Sequence, residues 1–392
     1  MTIEADLLIL GGGCAGLSLA ARLAAAGRGV PRTRVLESRA AYCNDRTWCF
    51  WADATLGVEH LIAYEWRHLH VRAGAAEARI DCRLFPYQML PAERFYADAR
   101  ERIAASSRVD LVTDAAVLGE PRRIRAGWRV STRAGEFSAA RIIDTRPPQA
   151  PAAGDAVLWQ SFSGAVLECE RPVFDPDRAV LMDFDESSGE AVRFRYVLPT
   201  SPTTALVETT VFERQPRSRA ALAGLLRGAI HREIGSTAHR VVRREHGILP
   251  MGLTQRVFDA DPSYIHAGLV AGAARASTGY AFQRIQRWAA LCSESLSAGG
   301  PSVRHPPEPA ARAVMDRIFL QVLRTHPARA PQVFAQLFAR ASSERVIRFL
   351  SDRGSCADHA AVVAALPTGL FLSCLPGLIT SGLFGTRSGL AA

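Results

Sequence analysis

Apolar residues recur along this chain with changing period, and the changes mark its elements. Asp6 to Leu10 is a short unbroken apolar run, the pattern of a parallel strand covered on both faces. It passes straight into glycines. Leu17 to Ala26 then carries small or apolar residues at nearly every position, which predicts a buried helix. After Gly27 a second apolar segment ends at Val35, Leu36 and Glu37, and Ala140 to Arg146 predicts another short strand with Asp144 at its end. From Ala156 to Phe212 the pattern shifts to strand-length segments parted by polar turns. VLWQSFSGAVLE alternates weakly, AVLMDF ends in acids, and VRFRYVLPTSPTTALVETTVF predicts a hairpin turning at Pro199 to Thr203. Beyond Ala298 the linker GGPSVRHPPEP gives way to helical spacing. Val314, Ile318, Leu320 and Leu323 form one apolar face, Val333, Phe334, Leu337 and Phe338 another, with basic residues on the other side.

The glycines between the first strand and helix are Gly11, Gly13 and Gly16, in the order G-x-G-x-x-G. Gly11 suits the tight turn, Gly13 lets backbone approach a pyrophosphate, and Gly16 permits close packing of helix on strand. Glu37 follows about 20 residues on, placed to accept from a ribose diol. Strand, glycines, buried helix, second strand and terminal acid together predict dinucleotide binding. FAD is favoured over a transient nicotinamide, because YIHAGLVAGAARASTGY, from Tyr264 to Tyr280, can close over a flavin. Its Gly268, Gly272, Thr278 and Gly279 suit a turn against the isoalloxazine ring. Asp144 would return the chain to the nucleotide site, unless its strand is simply core.

The expected fold is α/β, with a Rossmann-type FAD-binding domain of the glutathione-reductase-like kind, a sheet-based substrate domain and a helical C-terminal region. The expected boundaries are 1–150 for the first part of the FAD domain, 151–255 for the substrate sheet, 256–298 for the return to the FAD domain, and 299–392 for a membrane-facing helical region. That last region reads equally as a helical cap over the sheet.

NDRTWCFW, from Asn44 to Trp51, reads as a polar and aromatic loop. Asp45 and Arg46 can grip a cofactor, while Trp48, Phe50 and Trp51 offer a flat apolar wall for substrate. Arg94, within FPYQMLPAERFY, can reach adenosine phosphates. Asp183, Asp185 and Glu186 follow one strand, and Glu208 lies inside another, ALVETTV. Alternation puts Glu208 on one face with Leu206 and Thr210. There a carboxyl is desolvated and stays protonated near neutrality, fit for proton donation; on an edge strand it would face solvent instead.

Composition narrows the class. Hydrophobic residues make up 48% and charged ones 22% of 392 residues, which excludes a disordered chain, a collagen-like repeat or a long coiled coil. The net charge of +9 suits an anionic partner. Nucleic acid is disfavoured, since the basic residues are dispersed and no nucleic-acid module is visible. Eight cysteines with no CxxC pair argue against a disulfide scaffold or structural zinc, and the scattered histidines form no metal cluster. The N-terminal apolar run lacks a basic lead, so a strand is expected rather than a secretory peptide. Ala361 to Thr380 is about one membrane span long, but Pro367 and Pro376 interrupt it. A surface-lying or tunnel-lining role is preferred over a spanning helix, with an ordinary buried helix pair as the alternative.

These residues resemble the bacterial lycopene β-cyclase family, FAD-dependent flavoproteins of carotenoid biosynthesis. The likeness is carried, in order, by LLILGGGCAGLSLA, DRTWCFW, PYQMLPAERFY, IIDTRP, LMDFDES, RYVLPTSPTTALVETT, GILPMG and AGLVAGAARASTGYAF. It implies acid-catalysed, non-redox cyclisation of the ψ-ends of lycopene, through γ-carotene to β-carotene, with FAD held reduced by NADPH or NADH. It implies that Glu208 is the acid, in the family's E-[ED]-T strand motif. Thr209 stands where that motif has its second carboxylate, and Asp183 is the expected substitute. Ala274 to Ser277 depart from bulkier residues of the family before TGY. So insoluble a substrate implies peripheral or monotopic contact with the cytoplasmic face of a membrane. The alternatives are an FAD-dependent monooxygenase or reductase acting on an isoprenoid or other lipid, and a flavin-bearing membrane adaptor without turnover.

Overall fold

The computed structural model describes residues 3–147, 156–185, 189–253 and 261–375. A first sheet sets Val109–Val112, Thr33–Leu36, Ala5–Leu10, Gly135–Asp144, Gly127–Thr132 and Arg122–Ile124 side by side, with Tyr264–His266 also paired to Gly135–Asp144. Ala5–Leu10 runs parallel to both neighbours, with Leu10 in register with Leu36 on one side and Asp144 on the other. Three strands therefore end at one edge, where open α/β sheets bind ligands. The helix is Cys14–Ala26, beginning one turn earlier than its apolar run, and Leu17, Leu19, Ala20 and Leu23 are buried. They share a core with Trp288 and Ala289 of helix Phe282–Ser297 and with Phe95 of helix Ala92–Ala104.

A second sheet sets His239–Met251, Leu158–Cys169, Thr204–Glu213, Val192–Pro199, Ala179–Phe184, His68–Ala73 and Ala76–Asp81 in that order. The expected hairpin is present, with Leu198 opposite Leu206 and Thr200 and Ser201 bonded to Thr204 across the turn. Helix Arg219–Ile234 covers one face, packing Leu226 and Ile230 on Ala165, Val197 and Val207. The opposite face carries Phe184, Phe194, Leu206 and Phe212. Helices Ala310–Thr325 and Ala330–Arg340 lie over it and add Leu320, Phe334, Leu337 and Phe338 to the same core. Each such side chain contributes about 1.5–3 kcal/mol on burial. The C-terminal region is thus a roof over this sheet.

Two local expectations change. Thr47–Trp51 is not a loop but a strand, antiparallel to Tyr87–Pro91, which also pairs with Tyr64–Trp66. Pairing satisfies its backbone and lets Trp51 pack on Tyr87, with ring centroids 5.1 Å apart. The layers also do not divide near residue 150, since the hairpin His68–Ala73 and Ala76–Asp81 leaves the nucleotide layer to join the second sheet. At the C-terminus, helices Cys356–Ala365 and Thr368–Ser373 flank Pro367, and the expected apolar stretch passes outside the described residues after Leu375. Among the described residues, no helix is long and apolar enough to cross a membrane. Glu186 also lies outside them.

Candidate active site

A cavity of about 1340 Å³ runs from the ends of the nucleotide strands, beneath the second sheet, to the C-terminal helices. At its nucleotide end the first strand turns on Gly11, at φ +96. A Cβ on Gly16 would lie 2.0 Å from the Gly11 carbonyl oxygen, and one on Gly12 would lie 2.4 Å from the Tyr42 hydroxyl. Gly12 is therefore also hemmed in, by the Tyr42 and Glu37 side chains, which the spacing rule does not reveal. Around Gly13 a Cβ would meet nothing within 4 Å, and no side chain caps the helix that follows. Its first N–H groups face the cavity end without a capping partner, as an anion site requires.

Glu37 is 4% exposed and accepts from the Gly12 N–H at 2.7 Å and the Arg39 guanidinium at 2.9 Å. Burial pushes its carboxyl up, but the bonds from Arg39 and Gly12 more than reverse this and hold it below the usual carboxylate range. Asp144 lies at its strand end, held by Arg146 at 2.6 Å and the Tyr264 hydroxyl at 2.8 Å. Arg46 lines the cavity, paired with Asp45 at 2.7 Å. Thr278 and Gly279 line it too, with Gly279 at φ +72. Gly268 and Gly272 do not. They shape the turn behind the wall: Gly268 donates its N–H to His305 Nε2 at 2.9 Å, and Gly272 ends the short helix Gly268–Ala271. Arg94 points elsewhere, donating to the Ile62 carbonyl.

Trp48, Phe50 and Trp51 all line the cavity. Phe50 stacks on Phe282 at 4.8 Å, and Trp48 lies 5.2 Å from the same ring, so one phenyl group sets both planes. Trp51 packs near Tyr280 at 5.9 Å. Arg275 turns away from the cavity and is wholly buried, bonded to Asp316 at 2.9 Å and to the Phe349 carbonyl at 2.6 Å. Arg275 thus ties the turn to the roof helices.

Glu208 faces the cavity from the middle of its strand, opposite Gly164 on one side and Tyr196 on the other. Burial, then the charge of Glu245, push its carboxyl up to about 8, against a lowering bond from Thr210 Oγ1 at 2.9 Å. The solvent-facing alternative is therefore set aside. Asp183 does not join it. Its cross-strand neighbour is Arg195, which stands opposite Thr209, so this trio shares the sheet face turned away from Glu208. There Asp183 pairs with Arg195 and lies 3.7 Å from Arg72, while Arg195 also lies 3.3 Å from Glu233 of the covering helix. Asp183→Asn is expected to lower stability by about 1–3 kcal/mol, the cost of weakening a charged pair that is nearly buried. Pigment conversion, by contrast, should stay within twofold of native; a matched thermal melt and pigment assay checks both.

The carboxylate that does reach Glu208 is Glu245, on strand His239–Met251 and also opposite Gly164. Sequence reasoning missed it. Alternation through Glu245, Gly247 and Leu249 was available, but only the strand order shows which acids become neighbours.

The fold has relatives among solved structures. A geranylgeranyl bacteriochlorophyll reductase-like protein from Thermoplasma acidophilum superposes with TM-score 0.62 at 12% identity, covering 94% of this chain and 98% of that one. A flavin-dependent brominase gives TM-score 0.60 at 12% identity, covering 96% and 99%. The class is the Rossmann-type FAD-binding fold joined to a substrate sheet and a helical C-terminal region. Within it the chain belongs to the lycopene cyclase family: the family described as "Lycopene cyclase protein" matches residues 6–373. The lycopene beta-cyclase of a Paracoccus species is 32% identical over 300 residues, covering 71% of this chain and 73% of that protein. The lycopene beta cyclase of Synechococcus elongatus is 24% identical over 310 residues, covering 75% and 72%.

Proposed function

We propose that this chain closes the ψ-ends of lycopene into β-ionone rings, through γ-carotene to β-carotene, without net redox change and with Glu208 as the proton donor. The observation that carries the reading is Glu208 itself, a carboxyl on the wall of a largely apolar cavity, where burial pushes it up to about 8. Family membership supplies the carotenoid substrate.

The residues present fit FAD. Gly13 and the uncapped helix start suit its pyrophosphate, Glu37 its ribose, and Asp144 and Arg46 its neighbouring polar groups. Near Gly279 the buried Gln160 Oε1 has no hydrogen-bond partner among the described residues, and it lies 3.0 Å from where a Cβ on Gly279 would stand. Bound and kept reduced by NADPH or NADH, FAD would supply negative charge beside a developing cation.

The chain's own groups do the rest. Thr210 Oγ1 donates to Glu208 Oε1, leaving Oε2 to carry the proton. Glu208 protonates the terminal double bond, the internal alkene attacks the resulting cation to close the ring, and the Glu208 carboxylate takes up the departing ring proton, restoring a neutral alkene and the acid. One proton enters and one leaves, with no electrons transferred. Trp48, Phe50 and Trp51 line the chamber with aromatic carbon and help to exclude the water that would quench the cation.

Peripheral membrane contact at the cytoplasmic face is part of the proposal. What supports it is the roof end of the cavity, where Val363 and Leu372 line it while remaining 49% and 58% exposed. Removing the helices is no clean test, because they supply core residues. Leu372→Glu should instead reduce sedimentation with anionic vesicles severalfold and leave the melting temperature unchanged. Native sedimentation by the variant argues against this surface.

The test of the reaction is the pigment of a lycopene-accumulating bacterium expressing the chain. γ-Carotene and β-carotene are expected, with no stoichiometric NAD(P)H or oxygen consumption by the purified enzyme. Unchanged lycopene from folded, flavin-loaded protein overturns the reading.

A further inference from the structure

The strand motif around Glu208 offers a threonine where a second acid is expected, yet the sheet brings a second acid from another strand. Gly164 sits between the two carboxylates, paired with Glu208 on one side and Glu245 on the other. A Cβ on Gly164 would lie 3.1 Å from Glu245 Cγ, 3.2 Å from Leu206 Cδ1 and 3.4 Å from Glu208 Cβ, so the glycine leaves room for side chains from both neighbouring strands. Glycine inside a strand is unfavourable unless something approaches closely there. Here two like side chains do.

Glu245 is only 7% exposed, and its surroundings are built for an anion. Arg243 Nη1 donates to Glu245 Oε2 at 2.7 Å, and Thr47 Oγ1 donates to the same oxygen at 3.0 Å. Arg243 Nη2 donates to Thr47 Oγ1 at 2.6 Å, closing a triangle that links the acid strand's sheet to strand Thr47–Trp51. Among the described residues no cation is paired with Glu208, whose bonded partner is the Thr210 hydroxyl. Three neutral groups lie near it. Tyr196 and Tyr87 share a hydrogen bond of 3.0 Å, and burial pushes both phenols and the Cys49 thiol up. His246, next on the strand of Glu245, is engaged with the Phe162 carbonyl at 2.9 Å.

We propose that Glu245, ion-paired with Arg243 and hydrogen-bonded by Thr47, is the positioning partner of Glu208 across Gly164, setting the charge that the Glu208 carboxyl meets inside the chamber. The asymmetry assigns the roles. A negative charge on Glu245 disfavours a second one on Glu208 across the shared glycine, and the Arg243 guanidinium stands beside Glu245. Glu245 thus acts through Glu208 and needs no contact with substrate. The inference rests on the cyclase reading only for the use made of the Glu208 proton.

The experiment compares native, Glu245→Gln and Glu245→Asp holoenzymes in cyclisation assays across pH 5 to 9. In the native enzyme the alkaline limb is expected near 8. Losing the Glu245 charge removes a repulsion and leaves Arg243 uncompensated, and both effects lower the Glu208 value. The limb of Glu245→Gln should therefore move acidward by about one unit, a tenfold smaller protonated fraction on the alkaline side, with activity recovered at low pH. Glu245→Asp should keep the native limb. An infrared titration of the same proteins, following the protonated carboxyl band that Glu208→Gln removes, reads the same shift without turnover. A Glu245→Gln band that titrates with the native one overturns the inference, even if cyclisation stands. Absence of cyclisation by the native chain overturns the functional reading, and the infrared titration still decides this one.

Discussion

Glu208→Gln is expected to leave lycopene uncyclised while the purified protein keeps its flavin and its melting temperature. The substitution is nearly isosteric, and its amide oxygen still accepts from Thr210 Oγ1, which now bonds Glu208 Oε1 at 2.9 Å. What it removes is a dissociable proton on the wall of the chamber. General acids contribute about 10²–10⁴-fold to rate. A residual rate lower by that factor would leave the pigment of expressing cells as lycopene. The sign of the effect does not depend on pH, since the amide has no proton to give. The native enzyme should instead lose activity as pH rises through about 8. Conversion by Glu208→Gln within tenfold of native would move the acid elsewhere and remove the reading offered for this site.

Gly16→Ala should remove the flavin. The added methyl group would stand 2.0 Å from the Gly11 carbonyl oxygen and 3.1 Å from the Thr145 hydroxyl. The first of these is backbone, in a turn that already needs φ +96 at Gly11, so no side chain can swing aside. Strand and helix must separate, which costs about 1–3 kcal/mol by overpacking and displaces the helix start from a bound pyrophosphate. The expected product is a colourless, less stable protein whose flavin absorbance is reduced at least tenfold. Gly13→Ala is the contrast, because its Cβ meets no protein atom within 4 Å. That protein should fold with native stability and bind flavin more weakly, through crowding of the ligand alone. Equal stability losses in the two variants would contradict this assignment of roles.

The nucleotide end was legible because its requirements are local. A parallel strand needs an unbroken apolar run, a tight turn needs glycine, and a buried helix needs small residues, all within Asp6 to Glu37. The hairpin that carries Glu208 was legible for the same reason, since alternation and a Pro–Thr turn are properties of adjacent residues. Glu208 itself was recognisable as an acid among apolar neighbours on one strand face.

Neighbourhood across strands was not legible. Asp183 and Glu208 both sit in apolar strands, yet an odd offset through the Arg195 register turns Asp183 to the helix-covered face. Glu245 is distant in sequence from Glu208 and reaches it only because Leu158–Cys169 lies between their strands with Gly164 at the crossing. Trp48, Phe50 and Trp51 were visible as rings needing cover, but the strand pairing that aligns them and the Phe282 ring that stacks on Phe50 and abuts Trp48 come from far along the chain. The apolar faces of the C-terminal helices announced burial and left a cap over the sheet or a membrane-facing surface open, and packing against Phe184, Phe194 and Phe212 decided for the cap. Local sequence determined which elements form and which residues can do chemistry, because backbone geometry and burial pattern act over a few residues. Tertiary structure decided which of those residues meet, because strand order and register are set by packing of the whole chain and are not encoded in any one segment.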